Sequence, residues 1–179
     1  MKIIETEIQG LLIIEPDVFK DSRGYFQETY VTTKYLFPDA VTFVQDNEAK
    51  SDLGVLRGLH FQKGEAAQGK LVRVVTGSVY DVAVDLRPDS ETYGIPYGIE
   101  LTGENKKQLW IPRGFAHGYL VLEDDTIFSY KCDNYYNKGA EGGIRFDDPD
   151  LAISWPDIAV PYLISEKDLS LGSFLALAS

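Results

Sequence analysis

A chain of 179 residues with 44% hydrophobic side chains can close one sizeable core, which excludes a disordered or low-complexity protein. A net charge of −11 opposes bulk attraction to DNA, RNA or an anionic membrane and leaves room only for a concentrated local anion site. The single cysteine, Cys132, excludes an internal disulfide, and no aliphatic run is long enough for a membrane span or a signal-peptide core, so a cytoplasmic protein is expected.

Near the start, the apolar stretch Ile8 to Ile14 predicts a strand that could hide an edge against a partner. Asp21-Ser22-Arg23-Gly24 predicts a turn, and a short helical pattern follows at 31–36. A strand is expected at 41–46, and another along Val55-Leu56-Arg57-Gly58-Leu59-His60. Period two sets Arg57 and His60 on opposite faces there unless Gly58 introduces a bulge. Gln68-Gly69-Lys70 puts a lysine at the head of an apolar strand over 70–76. From Tyr80 to Leu86, apolar residues alternate with Asp81, Ala83 and Asp85, the mark of a half-buried strand whose polar face need not meet solvent. Further strands are predicted at 97–102, 107–111, 115–123 and 126–136, separated by turns such as Pro112-Arg113-Gly114. A short helical segment over 165–179 starts where Ser165 and Asp168 have capping-box spacing. With no repeat, linker or composition break, the chain reads as a single domain, 1–179, of all-β class, a sandwich or barrel.

His60 and His117 are the only side chains whose ordinary pKa suits base chemistry at neutral pH. Taken singly, each candidate also has a plain structural reading. A lone strand histidine is more often a hydrogen-bonded core residue, Lys70 a solvated strand end and Tyr130 a packing aromatic. Ser165 and Asp168 equally describe a helix cap. A catalytic metal would need three or four ligands, commonly two histidines one residue apart, and that pair is missing. A non-catalytic sugar-binding module remains open, although it has no need for a histidine, a lysine and a tyrosine to converge.

Taken together, Val44-Gln45-Asp46-Asn47, Val55 to Gln62, Gln68-Gly69-Lys70-Leu71-Val72-Arg73, Asp81 to Asp85, Gln108-Leu109-Trp110-Ile111-Pro112, Gly114-Phe115-Ala116-His117-Gly118 and Tyr130-Lys131-Cys132 closely resemble the dTDP-4-dehydrorhamnose 3,5-epimerase family. The likeness runs in unbroken order from about Asp21 to Asp168, which is far more specific than one short pattern. The resemblance implies a cupin-type jelly roll of two antiparallel sheets with short peripheral helices, working as a homodimer to which the N-terminal strand contributes, without metal or organic cofactor. It implies dTDP-4-dehydro-6-deoxy-D-glucose as substrate, His60 as general base, Tyr130 as general acid and Asp168 as the carboxylate paired with the base. Lys70 and Arg57 match residues facing the sugar and its ketone. Arg23, Glu28, Gln45, Asp46, Asn47, His117, Glu141 and Lys167 match substrate contacts, and Tyr136 matches the residue stacked on thymine. Relatives that invert one centre, or move a ketone between C3 and C4, remain alternatives.

Overall fold

In a strand, successive side chains point to opposite faces, so two stacked sheets bury one alternate set of residues from each strand between them. The computed structural model of the protein describes residues 1–35, 37–38 and 41–177. In chain order its strands are β1 (Lys2–Glu5), β2 (Leu12–Glu15), β3 (Val18–Asp21), β4 (Gly24–Gln27), β5 (Gln45–Ser51), β6 (Val55–Gln62), β7 (Lys70–Thr76) and β8 (Ser78–Asp85). They continue with β9 (Pro96–Thr102), β10 (Gln108–Ile111), β11 (Phe115–Val121), β12 (Thr126–Cys132), β13 (Glu141–Gly143) and β14 (Leu163–Ile164). One short helix, α1 (Glu166–Leu169), follows.

A first sheet runs β1-β2-β10-β7-β12-β5, and a second runs β13-β6-β11-β8-β9 with β14 added parallel to β6. Their facing sides interlock around Val72, Val74, Val79, Ala83, Leu109, Tyr119 and Phe128, where the Tyr119 and Phe128 rings stack 4.1 Å apart. Outer faces are covered as well. Tyr30, Tyr35, Phe37 and Phe43 gather over Trp110 on the first sheet, and Ile144, Leu151, Trp155 and Phe174 over Val82 and Val84 on the second. The all-β jelly roll expected from sequence is therefore the fold, and no helix among the described residues is long and apolar enough to cross a membrane.

Several boundaries differ from the alternation, each for a local reason. The strand expected over Ile8 to Ile14 begins only at Leu12. Ile8 and Leu11 sit in a turn closed by the Leu11 N–H on the Ile8 carbonyl, and they are apolar because they plug the core. β2 lies between β1 and β10, so the sheet edge is β1, with Ile3 and Ile4 exposed. The run at 41–46 turns into strand only at Gln45, since Val41 and Phe43 pack beside Trp110. The run at 126–136 stops at Cys132, where Asp133 accepts the Gly69 N–H at 2.7 Å and bends the chain away. Of the helical pattern expected at 31–36, residues 31–35 make a single turn, with the Tyr35 N–H on the Val31 carbonyl. Leu36 lies outside the described residues. The 165–179 segment is helical only over α1 and a 3-10 turn at Leu175–Leu177, and residues 178–179 lie outside the described residues.

The Asp21 to Gly24 turn is borne out as the two-residue tip of a hairpin, β3 with β4, that belongs to neither large sheet. It pairs Phe19 with Phe26, and both rings are more than half exposed, as is Tyr25.

Candidate active site

Gly58 decides which way the site residues point. His60 lies opposite His117, but Arg57 lies opposite Tyr119, so β6 carries one residue more than β11 over the same span. That bulge cancels the odd spacing of Arg57 and His60 and turns both toward one face. Only glycine meets the need: its φ is +117°, and a Cβ there would lie 2.7 Å from the Gly118 Cα and 2.8 Å from the His117 carbonyl oxygen. The alternation gave two outcomes for Arg57 and His60, and the structure takes the bulged one.

Between the sheets opens a cavity of about 570 Å³ walled by Asn47, Arg57, His60, Lys70, His117, Tyr119, Tyr130, Lys167 and Asp168. A second recess, of about 280 Å³, shares Asn47, His60, Lys70 and Tyr130 and adds Gln45, Tyr136 and Glu141. His60 Nε2 stands 2.7 Å from Asp168 Oδ1, and Asp168 Oδ2 accepts the Gly58 N–H at 3.3 Å. Asp168 is buried, while His60 keeps about a third of its side chain open to the cavity. Ser165 accepts the Asp168 N–H, so the cap reading and the carboxylate reading hold together.

The facing wall is the first sheet. Tyr130 on β12 sits between Asn47 on β5 and Val72 on β7, and Lys70 heads β7 with its ammonium 5.9 Å from the Tyr130 ring centre. Burial pushes the Tyr130 phenol upward, with Arg57 opposing, so it is protonated at neutral pH. Burial pushes Lys70 downward, against the pull of the Asp81 and Glu141 carboxylates. Cys132, behind Lys70, is itself buried and pushed up to about 11, which makes it an inert thiol.

Other expected residues take distinct places. His117 Nε2 lies 2.9 Å from Asp81 Oδ2, both side chains being buried. Burial pushes His117 below its ordinary value, against the pull of Asp81. Arg57 donates to Ser51 Oγ at 3.0 Å. Gln45 donates to Asn47 and accepts the Tyr136 N–H. At the rim Tyr136 donates to Glu141, which accepts from Lys167 at 2.6 Å, and this cation holds the Glu141 carboxyl below its usual range.

Three expected contacts stand apart from the cavity. Asp46 alternates to the outer face of β5 and pairs with Lys131 at 2.9 Å. Glu28 pairs with Lys34, and Arg23, with its side chain 87% exposed at the hairpin tip, pairs with Asp21. Within one chain these three are not brought to the site, because alternation or the detached hairpin carries them elsewhere. Conversely, Asp81, Ser51 and Tyr119 were missed as site residues. Asp81 had a signal in the polar side of its strand, which faces the barrel interior; Ser51 had none.

A two-sheet β-barrel with such an interior is a cupin-type jelly roll enclosing an acid–base site, the class of a small isomerase. The sequence profile described as dTDP-4-dehydrorhamnose 3,5-epimerase matches residues 5–175. The chain is 52% identical to the dTDP-4-dehydrorhamnose 3,5-epimerase of Salmonella typhimurium, over 94% of this chain and 92% of that one. It superposes with a TM-score of 0.91 on the dTDP-4-dehydrorhamnose 3,5-epimerase of Elizabethkingia anophelis, at 51% identity, covering 98% of this chain and 97% of that one. On the dTDP-6-deoxy-D-glucose-3,5-epimerase of Legionella pneumophila in complex with dTDP-4-keto-L-rhamnose the TM-score is 0.94, at 47% identity, covering 99% and 94% of the two chains. The chain belongs to the dTDP-4-dehydrorhamnose 3,5-epimerase family.

Proposed function

We propose that the chain performs its family's reaction, 3,5-epimerisation of dTDP-4-dehydro-6-deoxy-D-glucose to dTDP-4-dehydro-L-rhamnose in dTDP-L-rhamnose biosynthesis, with His60 as base and Tyr130 as acid. The observation that carries this reading is the placement of a carboxylate-backed histidine on one sheet and a protonated tyrosine beside a lysine on the facing sheet. Inversion demands that arrangement, because the proton must leave one face of the carbon and return to the other.

Hydrogens at C3 and C5 both flank the C4 ketone, so removing either gives an enolate. Lys70 stabilises the charge growing on the ketone oxygen, an effect worth ~10²–10³ in rate by analogy with oxyanion holes. His60 takes the proton while Asp168 orients the ring and stabilises the imidazolium. Tyr130 delivers a proton from the opposite face, and positioned acid–base groups contribute ~10²–10⁴. His117 presents a neutral ring to the sugar, with Asp81 fixing its orientation. Arg57 and Lys167 supply the local cationic site that the acidic chain needs for a diphosphate, and Tyr136 offers a flat, half-exposed face to thymine. The residues supply all these steps without a metal ion.

The same reading includes a homodimer. The exposed Phe19 and Phe26 are cross-strand neighbours on one face of a hairpin that joins neither large sheet, and Ile3 and Ile4 line an open sheet edge. Arg23 and Glu28 sit next to that hairpin, so a partner's hairpin is the means by which they reach a cavity. A free, buried Cys132 suits a reducing cytoplasm.

Incubation with the keto sugar nucleotide in D₂O, read by NMR and repeated with chelator, tests the reaction. Deuterium at both C3 and C5 with inversion at each is expected, unchanged by chelation. Label at one centre alone would make the chain a mono-epimerase, a displaced ketone an isomerase, and binding without exchange a sugar-nucleotide carrier. Turnover lost on chelation and restored by one metal would contradict the acid–base account.

A further inference from the structure

We propose that Asp148, about which the reaction itself says nothing, is a positioning residue that latches the C-terminal strap and so holds Asp168 against His60. This rests on the reading of His60 as base and Asp168 as its partner. The carboxylate of Asp168 rides on α1, a single helical turn too short to hold itself in place. Its position is therefore set by what anchors the chain on either side. Upstream, β14 lies parallel to β6 at Val55 and Leu56, and the Leu163 N–H donates to the Gly54 carbonyl at 2.8 Å. Downstream, Gly172 bridges to Ile144, which exchanges two 3.0 Å hydrogen bonds with Leu59, the neighbour of His60. The strap thus crosses β6 at its bulge, with Asp168 at the crossing.

Beyond Gly172 the strap is fastened by one buried charge. Asp148 is 2% exposed. Its Oδ1 accepts the local Asp150 N–H at 3.0 Å, and its Oδ2 accepts the Phe174 N–H at 2.9 Å, 26 residues along the chain. Arg145 acts on it only through space, being paired with Asp147, so both carboxylate oxygens are given to backbone N–H groups. The Phe174 ring seats over Gly94, where a Cβ would approach to 2.8 Å, and packs on Tyr93 at 5.2 Å. Asp148 and the Phe174 seat therefore close a loop whose middle delivers Asp168.

Asp148→Asn keeps the shape but leaves one backbone N–H facing an amide donor. With Asp168 free to drift, kcat should fall roughly 10- to 100-fold, the scale of a displaced catalytic group. Lys167, on the same helix and paired with Glu141, shifts with Asp168, so KM should rise a few-fold as well, less than kcat falls. In an Asp168→Asn background, Asp148→Asn should cost nothing further. Phe174→Leu, which loosens the seat without touching a charge, should lower kcat in the same way, again only while Asp168 is present, and decides the matter if Asp148→Asn does not fold. The latch is overturned if the variants that fold keep wild-type kcat, or if the Asp148→Asn loss is as large without Asp168 as with it. If Asp168→Asn alone leaves kcat unchanged, the underlying reading of His60 and Asp168 fails instead.

Discussion

Tyr130 is a core tyrosine by its packing and, in the proposed mechanism, the proton donor, and the two roles separate experimentally. Its ring lies against Phe128 and under the Lys70 ammonium, while burial keeps the phenol protonated. In Tyr130→Phe the base and the enolate-stabilising cation remain, so His60 should still exchange solvent deuterium on its own face. Inversion should fall by roughly 10²–10⁴. A Tyr130→Phe protein with a normal melting curve and near wild-type epimerisation would make Tyr130 a packing residue and direct attention to His117. At this scale the sequence was informative where chemistry is rare. Two histidines in 179 residues, a lysine heading an apolar strand and a tyrosine within another were each conspicuous. Partners were less so. Asp81 and His117 are 36 residues apart and meet only because β8 and β11 are adjacent, and Ser51 under Arg57 looks like any strand serine.

Strand β6 and the β3–β4 hairpin show what alternation reads and what it misses. Alternation located the strands because each buries a face, but it could not choose the Arg57–His60 geometry, which depends on a glycine meeting Gly118 across the sheet. It also read Ile8 and Leu11 as strand, since a plug of the barrel end is as apolar as a strand. The hairpin is the opposite case: the turn at its tip is plain, but its two short arms carry no buried side to betray them. Its exposed aromatics give the dimer a test. Burying an aromatic side chain is worth about 1.5–3 kcal/mol, so Phe19→Asp with Phe26→Asp should weaken association by more than ~10². The sedimentation mass should drop to that of one chain at micromolar concentration, with turnover falling in parallel as Arg23 and Glu28 are withdrawn. A wild-type chain that sediments as a monomer at full activity would remove the dimer from the account.

Over the whole molecule, two buried groups set how stability responds to acid. Asp85 is fully buried, and although burial opposes its charge, Arg87, Ser90 and Thr92 donate to it and hold its carboxyl at about 2. Its folded value lies below its unfolded one. It therefore contributes about 2 kcal/mol above pH 4 that is lost as pH falls toward 2. His117 is pushed down by burial, so below its unfolded value of about 6.5 the unfolded chain takes up a proton the folded chain refuses, and stability again falls with pH. Melting temperature should decline in two stages on acidification, and Asp85→Asn should flatten the lower one; a flat profile from pH 7 to 3 would refute both assignments. In the proposed mechanism one barrel wall, through His60, removes the protons at C3 and C5. Deuterium wash-in from D₂O at those carbons, measured in His60→Asn beside the wild type, is decisive. Label is expected at neither carbon while dTDP affinity stays within a few-fold; label retained at C3 or C5 would exclude His60 as the base.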